Sequence, residues 1–550
     1  MWYCLIGFAD DDHAMKILAV HPPYPGNKQI VYLPLGLGYT TAVAEREGHE
    51  VTVLDMHNLR LSYDVLEKTL ARREFQACFM GGFAMQVKGM AKVTELIKKV
   101  QPDCKVILGG VGVSDIPEIA LNYTRADIVS NGEAENVLPP LLKAIEERRA
   151  CEDLPGFVYR RGGDIIKQAR AAAPDDLDAL PYPAYHLFDV DYISTKSYNG
   201  RGPRSLHLMT SRGCPFKCNF CINSVLNNRT LLKEIHGKVE EEAAKSQRFR
   251  SVGSLAKEIE FLRSRYGITD FHFADEEFIT HRRRLEEVCQ AIEPLGISWS
   301  TSGRADWATE DKLHRMKKAG CTYVLFGVET GSQTLLDLMD KNAKKPAVAQ
   351  GLVSARKVGM DFIANFMVGH PGETESTIRE TVDFCKEHKL IFLPAFVTLF
   401  PNSKMFHDFA KNITDWDWYF KTLSTIDFNR NLLVNLTKMP QKKLLAMRNW
   451  AVAETFSTML APKLTGVLHQ ALTKLLTVAL VISDRCPNSL RMPIRNAIRA
   501  IFGRTTSKIT SDGSDRSIST QVPPNEYGQS ELPDDAYEES LRELTAPPRK

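Results

Sequence analysis

The 550-residue chain carries almost no net charge, +3 at pH 7. It has no concentrated basic stripe with interleaved aromatics, so the electrostatic footprint of a nucleic-acid surface is missing. No uncharged apolar run reaches the roughly 18 residues a membrane-spanning helix needs. The closest approach, LLTVALVI from Leu475 to Ile482, sits in an amphipathic stretch and reads as a buried helix. The 11 cysteines are an odd set without disulfide-like regularity, and the opening MWYCLIGFADDDHA has no basic segment before its apolar patch. Both features point to a reducing, cytoplasmic setting with no signal peptide. A Gly-x-Gly-x-x-Gly opening a helix after the first strand is also absent. HPPYPGN (His21 to Asn27) stands there instead, which disfavours a dinucleotide site.

What is present is the composition of a globular protein, 43% apolar and 25% charged, long enough for two or three domains. KILAVHPP, HEVTVLD, FQACFMGG, CKVILGG and ADIVSNGE read as strands within residues 16–133. They are continuously apolar and separated by helical stretches, the mark of a parallel sheet covered on both faces. Ligands of such sheets sit beyond the carboxyl ends of the strands. Those ends carry Gly81-Gly82, Gly109-Gly110 and Asn131-Gly132, which lets the backbone approach something large and flat.

A Pro/Asp-rich connector, APDDLDALPYPAYHLF, precedes a second series of strands at 204–211, 268–275, 297–303, 322–329, 361–369 and 390–400. Six βα units make an open or partial barrel with its reactive groups at the carboxyl ends. From about Asp415 to Arg504 the pattern is helical and rich in Leu, Met and Ala. The tail from Thr505 has few large apolar residues and is expected to be disordered. The first fourteen residues, an N-terminal extension, read as a mis-set start or a disordered arm.

Cys214-Pro-Phe-Lys-Cys218-Asn-Phe-Cys221 places three thiols on one tight loop just past the first barrel strand. Three unrelated core cysteines do not suit a loop containing Pro and Lys. A Cys-x-x-Cys redox pair leaves Cys214 unexplained. Zinc suits the soft ligands but wants a fourth, for which His207 is the nearest candidate, placed mid-strand. Three thiolates on three irons of a [4Fe–4S] cluster explain the odd number and leave one iron open for chemistry.

CPFKCNFC resembles the signature of radical S-adenosylmethionine (SAM) enzymes, in which the open iron binds the amino and carboxylate groups of that cofactor. FGVETGS (Phe326 to Ser332) is similar to the family's ribose- and methionine-contacting segment. GHPGET (Gly369 to Thr374) resembles the segment near adenine, and FADEEF (Phe273 to Phe278) and SGRAD (Ser302 to Asp306) match strand ends lining the cavity. The resemblance implies metal ligation by Cys214, Cys218 and Cys221. It also implies cofactor contacts from Phe220 at the cluster edge, from Asp275 and Gly369, from Arg304 through its fork of donors, and from Glu329 as an acceptor. His272, Glu276 and Glu277 join Asp275 near the second strand end, and no catalytic base is singled out among them.

The first domain resembles the cobalamin-binding domain that precedes many such enzymes, on LPLGLGYTTAVAEREGHEVTVLD, GGVG (Gly109 to Gly112) and NGEAE (Asn131 to Glu135). Contacts to cobalamin are then expected from Leu33, Gly36, Gly81, Gly82, Gly109, Gly110, Gly132 and Glu133. The Asp-x-His-x-x-Gly of methionine-synthase-type domains is missing after the first strand. DMHNLR (Asp55 to Arg60) follows the second, so His57 is expected to be a surface or loop residue and the cobalt to lack a histidine below.

The expected architecture is α/β. A Rossmann-like doubly wound cobalamin-binding domain (15–150) follows an N-terminal extension (1–14). A linker (151–200), a partial (β/α)6 radical SAM barrel (201–410), a helical C-terminal region (411–504) and a disordered tail (505–550) complete it. The resemblance implies SAM, cobalamin and a [4Fe–4S] cluster as cofactors, with a flavodoxin- or ferredoxin-like electron donor. The implied reaction is methylation of carbon or phosphorus in a small-molecule biosynthetic intermediate. Oxygen-independent ring closure of the magnesium-protoporphyrin monomethyl ester type is the alternative.

Overall fold

The computed structural model describes residues 14–24, 30–170, 173–223, 230–235, 238–243, 247–429, 431–460, 468–470 and 472–477. The N-terminal arm, the tail from 505 and most of the apolar run at 475–482 lie outside them. Among the described residues no helix is long and apolar enough to cross a membrane.

The first sheet is built from β1 (Lys16–His21), β2 (Glu50–Asp55), β3 (Ala77–Gly81), β4 (Lys105–Gly109), β5 (Ile128–Ser130), β6 (Phe157–Arg161) and β7 (Asp164–Lys167). Their order is β2-β1-β3-β4-β5-β6-β7, parallel from β1 to β5. Continuous apolar sequence is explained by burial on both faces. Along β1, Ile17 and Ala19 enter one core, while Leu18 and Val20 enter another on the opposite side. The antiparallel β6 and β7 lie in the stretch expected to be a linker, and they extend this sheet. They are short, and the outer one is only half-buried, so sequence periodicity gives them little signal.

The second part contains β8 (Ser205–Leu208), β9 (Ser211–Gly213), β10 (Thr230–Ile235), β11 (Lys238–Ala243), β12 (Gln247–Phe249), β13 (Asp270–Phe273), β14 (Ser298–Arg304), β15 (Cys321–Glu329), β16 (Asp361–Val368) and β17 (Pro394–Phe396). Six of these form one all-parallel sheet in the order β17-β16-β15-β14-β13-β8. This is the expected partial barrel. Its core holds fully buried Trp299, stacked on Phe273 at 4.9 Å between ring centroids, with Nε1 donating to Ala319 O at 2.8 Å. Two small antiparallel pairs, β9–β12 and β10–β11, stand outside that sheet.

The C-terminal segment divides between the two halves. Leu399, Met405, Phe406, Tyr419, Phe420 and Leu433 share one core with Leu18, Val20, Met90 and Leu108 of the first sheet's layers. Tyr24 Oη donates to Ile426 O at 3.1 Å, and Tyr123 Oη donates to Asp417 Oδ1 at 2.9 Å. The helix Gln441–Leu460 instead lies on the barrel helix Glu375–Glu387, with Lys443 Nζ 2.7 Å from Glu375 Oε2.

Candidate functional site

The cysteine loop leaves β9, and a turn closes it where Cys221 N–H donates to Cys218 O at 3.1 Å. All three thiols are half-buried. Burial pushes Cys214 up to about 12 and Cys221 up to about 11. It also raises Cys218, against the positive charges of Lys341 and Arg304. Free thiols here stay protonated, and a metal centre must displace those protons.

Among the described residues no three His, Cys, Asp or Glu side chains converge on a single ion. The thiolates of a cubane stand wider apart than that, because each binds a different iron. The proposed fourth zinc ligand is committed elsewhere: His207 Nε2 meets Tyr198 O at 2.8 Å. Three soft donors with two cations beside them suit an anionic iron–sulfur cluster. Phe220, within the loop, packs against the core shared by the first sheet and the C-terminal segment.

The barrel's strand ends surround this loop. Arg304 ends β14, and its Nη1 stands 3.8 Å from Cys218 Sγ. Nε and Nη2 hold the Asp306 carboxylate at 3.1 and 2.8 Å, and the guanidinium stacks 3.8 Å above the Phe216 ring centroid. The fork expected to grip a cofactor carboxylate is therefore occupied from within the chain. Glu329 ends β15 in the left-handed region, φ +67°, where the register to β16 slips. A non-glycine residue there is strained by about 1–3 kcal/mol, a cost found mostly at functional sites. One of its oxygens accepts from the buried Lys341 Nζ at 2.9 Å.

Three of the four residues grouped at the second strand end are turned to structural work. Asp275 accepts from Thr210 N, Thr210 Oγ1 and Ser211 Oγ at 2.7, 2.5 and 2.7 Å, and so ties β13 to the start of the cysteine loop. Glu277 caps the turn at Ile279 N (2.8 Å) and Thr280 N (3.2 Å). His272 lies within β13, bonded to Ser300 Oγ at 2.9 Å, and burial lowers it to about 3, so it stays neutral. Glu276, the exposed member of the group, accepts from Gly213 N at 3.1 Å through Oε2, beside the start of the cysteine loop. In the GHPGET loop, Gly369 (φ +100°) donates its N–H to buried Glu373, which burial raises to about 7.

On the first sheet, the glycines at the ends of β3 and β4 face one another, with Gly81 opposite Gly109. A Cβ on Gly110 would stand 2.8 Å from Gly82 N, and one on Gly112 would stand 2.5 Å from Phe83 C. The two loops can pack this closely only because both residues are glycine. Beside them Phe83 is 41% exposed, and Gly36 has open space around it. The result is a strand-end face of close-packed backbone with an exposed aromatic beside it, a lining of the kind a corrin ring can rest on. Gly132 joins it at the end of β5, its carbonyl accepting from Ser130 Oγ at 2.9 Å.

Three residues singled out on this domain have side chains engaged within the chain. Leu33 is 1% exposed and belongs to the core. Glu133 is held by Arg212 Nη1 at 2.7 Å and by Arg248, so a neighbouring strand pair has claimed its charge. His57 sits in the loop after β2 but is buried: Tyr24 N donates to its Nδ1 at 3.2 Å, and its Nε2 meets Ile30 O at 2.8 Å. The sequence reading also missed a buried pair, His21 Nδ1 and Asp55 Oδ1 at 2.8 Å. They are cross-strand partners in the β1–β2 register, and nothing in the local spacing signals that.

Arg212 joins the two halves. Lying on β9 just before Cys214, it reaches Glu133 and Glu135 beyond β5, each at 2.7 Å, and its guanidinium lies 4.9 Å from the Tyr39 ring centroid.

The B12 binding domain model matches residues 29–142, and the Radical SAM superfamily model matches 208–385. An uncharacterized methyltransferase of Pyrococcus horikoshii is 26% identical over 421 residues, covering 75% of this chain and 87% of its own. The anaerobic magnesium-protoporphyrin IX monomethyl ester cyclase of Rubrivivax gelatinosus is 24% identical over 419 residues, covering 74% and 72%. The solved radical SAM methyltransferase TsrM from Kitasatospora setae, with cobalamin and a [4Fe–4S] cluster bound, shares the fold. Its TM-score is 0.59 at 18% identity, covering 85% of this chain and 100% of that one. The chain thus belongs to the cobalamin-binding radical SAM enzymes, whose cofactors are S-adenosylmethionine, cobalamin and an iron–sulfur cluster and whose reactions are methyl transfer or related radical chemistry.

Proposed function

We propose that the protein methylates an unactivated carbon or phosphorus centre of a small-molecule biosynthetic intermediate. When bound, the cofactors supply the hard chemistry, SAM with the cluster a hydrogen-abstracting radical and cobalamin the methyl group. The chain's part is to hold, orient and shield. Cys214, Cys218 and Cys221 would each take one iron, with Arg304 and Lys341 offsetting the added negative charge. The second oxygen of Glu329 would accept from a ribose hydroxyl or an ammonium group of SAM. The Gly369 loop and Phe220 would flank the same cofactor, and Phe83 with the backbone at Gly82 and Gly110 would carry the corrin.

The observation that carries this reading is the Arg212 clamp, which fastens the cysteine loop to the acidic turn beyond β5. Two cofactor platforms held at a fixed separation can serve one substrate atom. The Pyrococcus relative, a methyltransferase by name and aligned over 87% of its length, favours methyl transfer. Ring closure without methylation is the second reading, favoured by the Rubrivivax cyclase. A flavodoxin- or ferredoxin-like protein would deliver the electron.

The test is anaerobic reconstitution followed by turnover with methyl-labelled SAM and candidate intermediates. Label in the product supports methyl transfer, and an unlabelled ring-closed product supports the second reading. Replacing the three cysteines by alanine should lower bound iron roughly tenfold and abolish reductive SAM cleavage while cobalamin is retained. Unchanged iron would refute the assignment of the loop.

A further inference from the structure

The carboxyl end of β1 carries a network that the cofactor assignments leave unused. Asp55 Oδ1 takes His21 Nδ1 at 2.8 Å, and His21 Nε2 meets the Tyr32 hydroxyl at 3.2 Å. Asp55 also fixes the backbone of Tyr32 through Asn58. Asn58 Nδ2 donates to Asp55 Oδ2 at 2.7 Å and to Tyr32 O at 2.8 Å, while Asn58 Oδ1 accepts from Tyr32 N at 3.3 Å. The Tyr32 ring meets Phe83 edge-on at 6.2 Å between centroids, which places it beside the exposed aromatic of the glycine-lined face. His21 is fully buried and Asp55 is 4% exposed. A buried polar chain of this kind costs desolvation that apolar packing would avoid. Through the Tyr32 phenol, which also lies 3.4 Å from Gln86 Oε1, it reaches the loop that leaves β1, where ligands of parallel sheets lie.

Two imidazoles stand directly behind that phenol, and neither has a free nitrogen. His21 is engaged at both nitrogens, by Asp55 and Tyr32. His57, its ring 5.0 Å from His21's, is engaged by Tyr24 N and Ile30 O. We propose that Tyr32 is the side chain that covers the lower face of bound cobalamin, with His21 and Asp55 as positioning residues that hold its phenol in place. The cobalt is thereby kept from histidine ligation although two histidines are at hand. The inference rests on the reading that the corrin lies on this face.

The experiment uses the full chain loaded with cobalamin and reduced to the cobalt(II) state. Cobalamin retained after gel filtration is measured by absorbance, and the lower face is read by electron paramagnetic resonance. The wild-type spectrum should show cobalt hyperfine lines without nitrogen splitting. Tyr32→His should split the high-field lines into nitrogen triplets, because it brings an imidazole to the lower face. Tyr32→Ala should shift the spectrum as solvent gains that face. His21→Gln, which loosens the phenol, should move it the same way. Nitrogen triplets in the wild type, or one spectrum common to wild type, Tyr32→Ala and Tyr32→His with cobalamin retained, would overturn the proposal. A wild-type protein that retains no cobalamin would overturn the corrin reading along with it.

Discussion

Arg304 Nη1 lies 3.8 Å from the sulfur of Cys218 while the rest of the same guanidinium grips Asp306. The pair sets a positive charge against a thiolate and anchors it with a carboxylate of its own. A cluster gains a negative charge on reduction, so this arrangement favours the reduced state.

Arg304→Gln should therefore lower the cluster's midpoint potential. The shift is on the order of 50 mV, because Asp306 already offsets part of the cationic charge. The single change also leaves Asp306 buried and unpaired. Arg304→Gln/Asp306→Asn should return most of the stability and much of the potential. A redox titration followed by resonance of the reduced cluster checks both.

The pair Glu329–Lys341 separates stability from binding. Glu329→Gln strands the buried Lys341 ammonium and should cost about 3 kcal/mol, seen as a lower Tm without SAM. Adding Lys341→Met should recover most of that. If the second Glu329 oxygen accepts from SAM, affinity in the double variant stays down by about tenfold, equivalent to about 1.4 kcal/mol. Calorimetric titration with SAM distinguishes this from a purely structural role.

Glu373 gives the protein a pH dependence of defined sign. Burial raises its carboxyl to about 7, so the folded chain holds the proton more tightly than the unfolded chain. Its stabilising contribution is complete below the ordinary carboxyl range and is lost as pH climbs toward 7. Between those limits the wild type should lose up to about 3 kcal/mol relative to Glu373→Gln. Urea unfolding of the two proteins from pH 4.5 to 7.5 measures that difference directly.

The parallel strands of both sheets were legible because burial on two faces forces continuous apolar sequence, and the cysteine loop was legible because its spacing has few uses. Contacts set by register were not. His21 and Asp55 are 34 residues apart and meet only because β1 and β2 pair in parallel with those two ends aligned. Glu133 looked like a ligand contact at a strand end, yet its partner Arg212 comes from 79 residues further along, on a strand too short to show periodicity. Asp275 was placed at the correct strand end, but its oxygens are spent on Thr210 and Ser211. The strain at Glu329 depends on a bulge in the β15–β16 register, invisible in a sequence that simply reads as a strand running into a turn.

The C-terminal segment has a role its composition did not suggest. Tyr419 and Phe420 share a core with side chains of β1 and β4, their helix Trp416–Leu423 lies on the helix Val87–Val100, and Tyr24 and Tyr123 reach across to the segment from the first domain. A truncation made to trim the helical end before these residues would uncover the Val87–Val100 helix that backs the first sheet. Loss of function in such a deletion would then report a collapsed cofactor platform, whatever the missing helices do for the substrate.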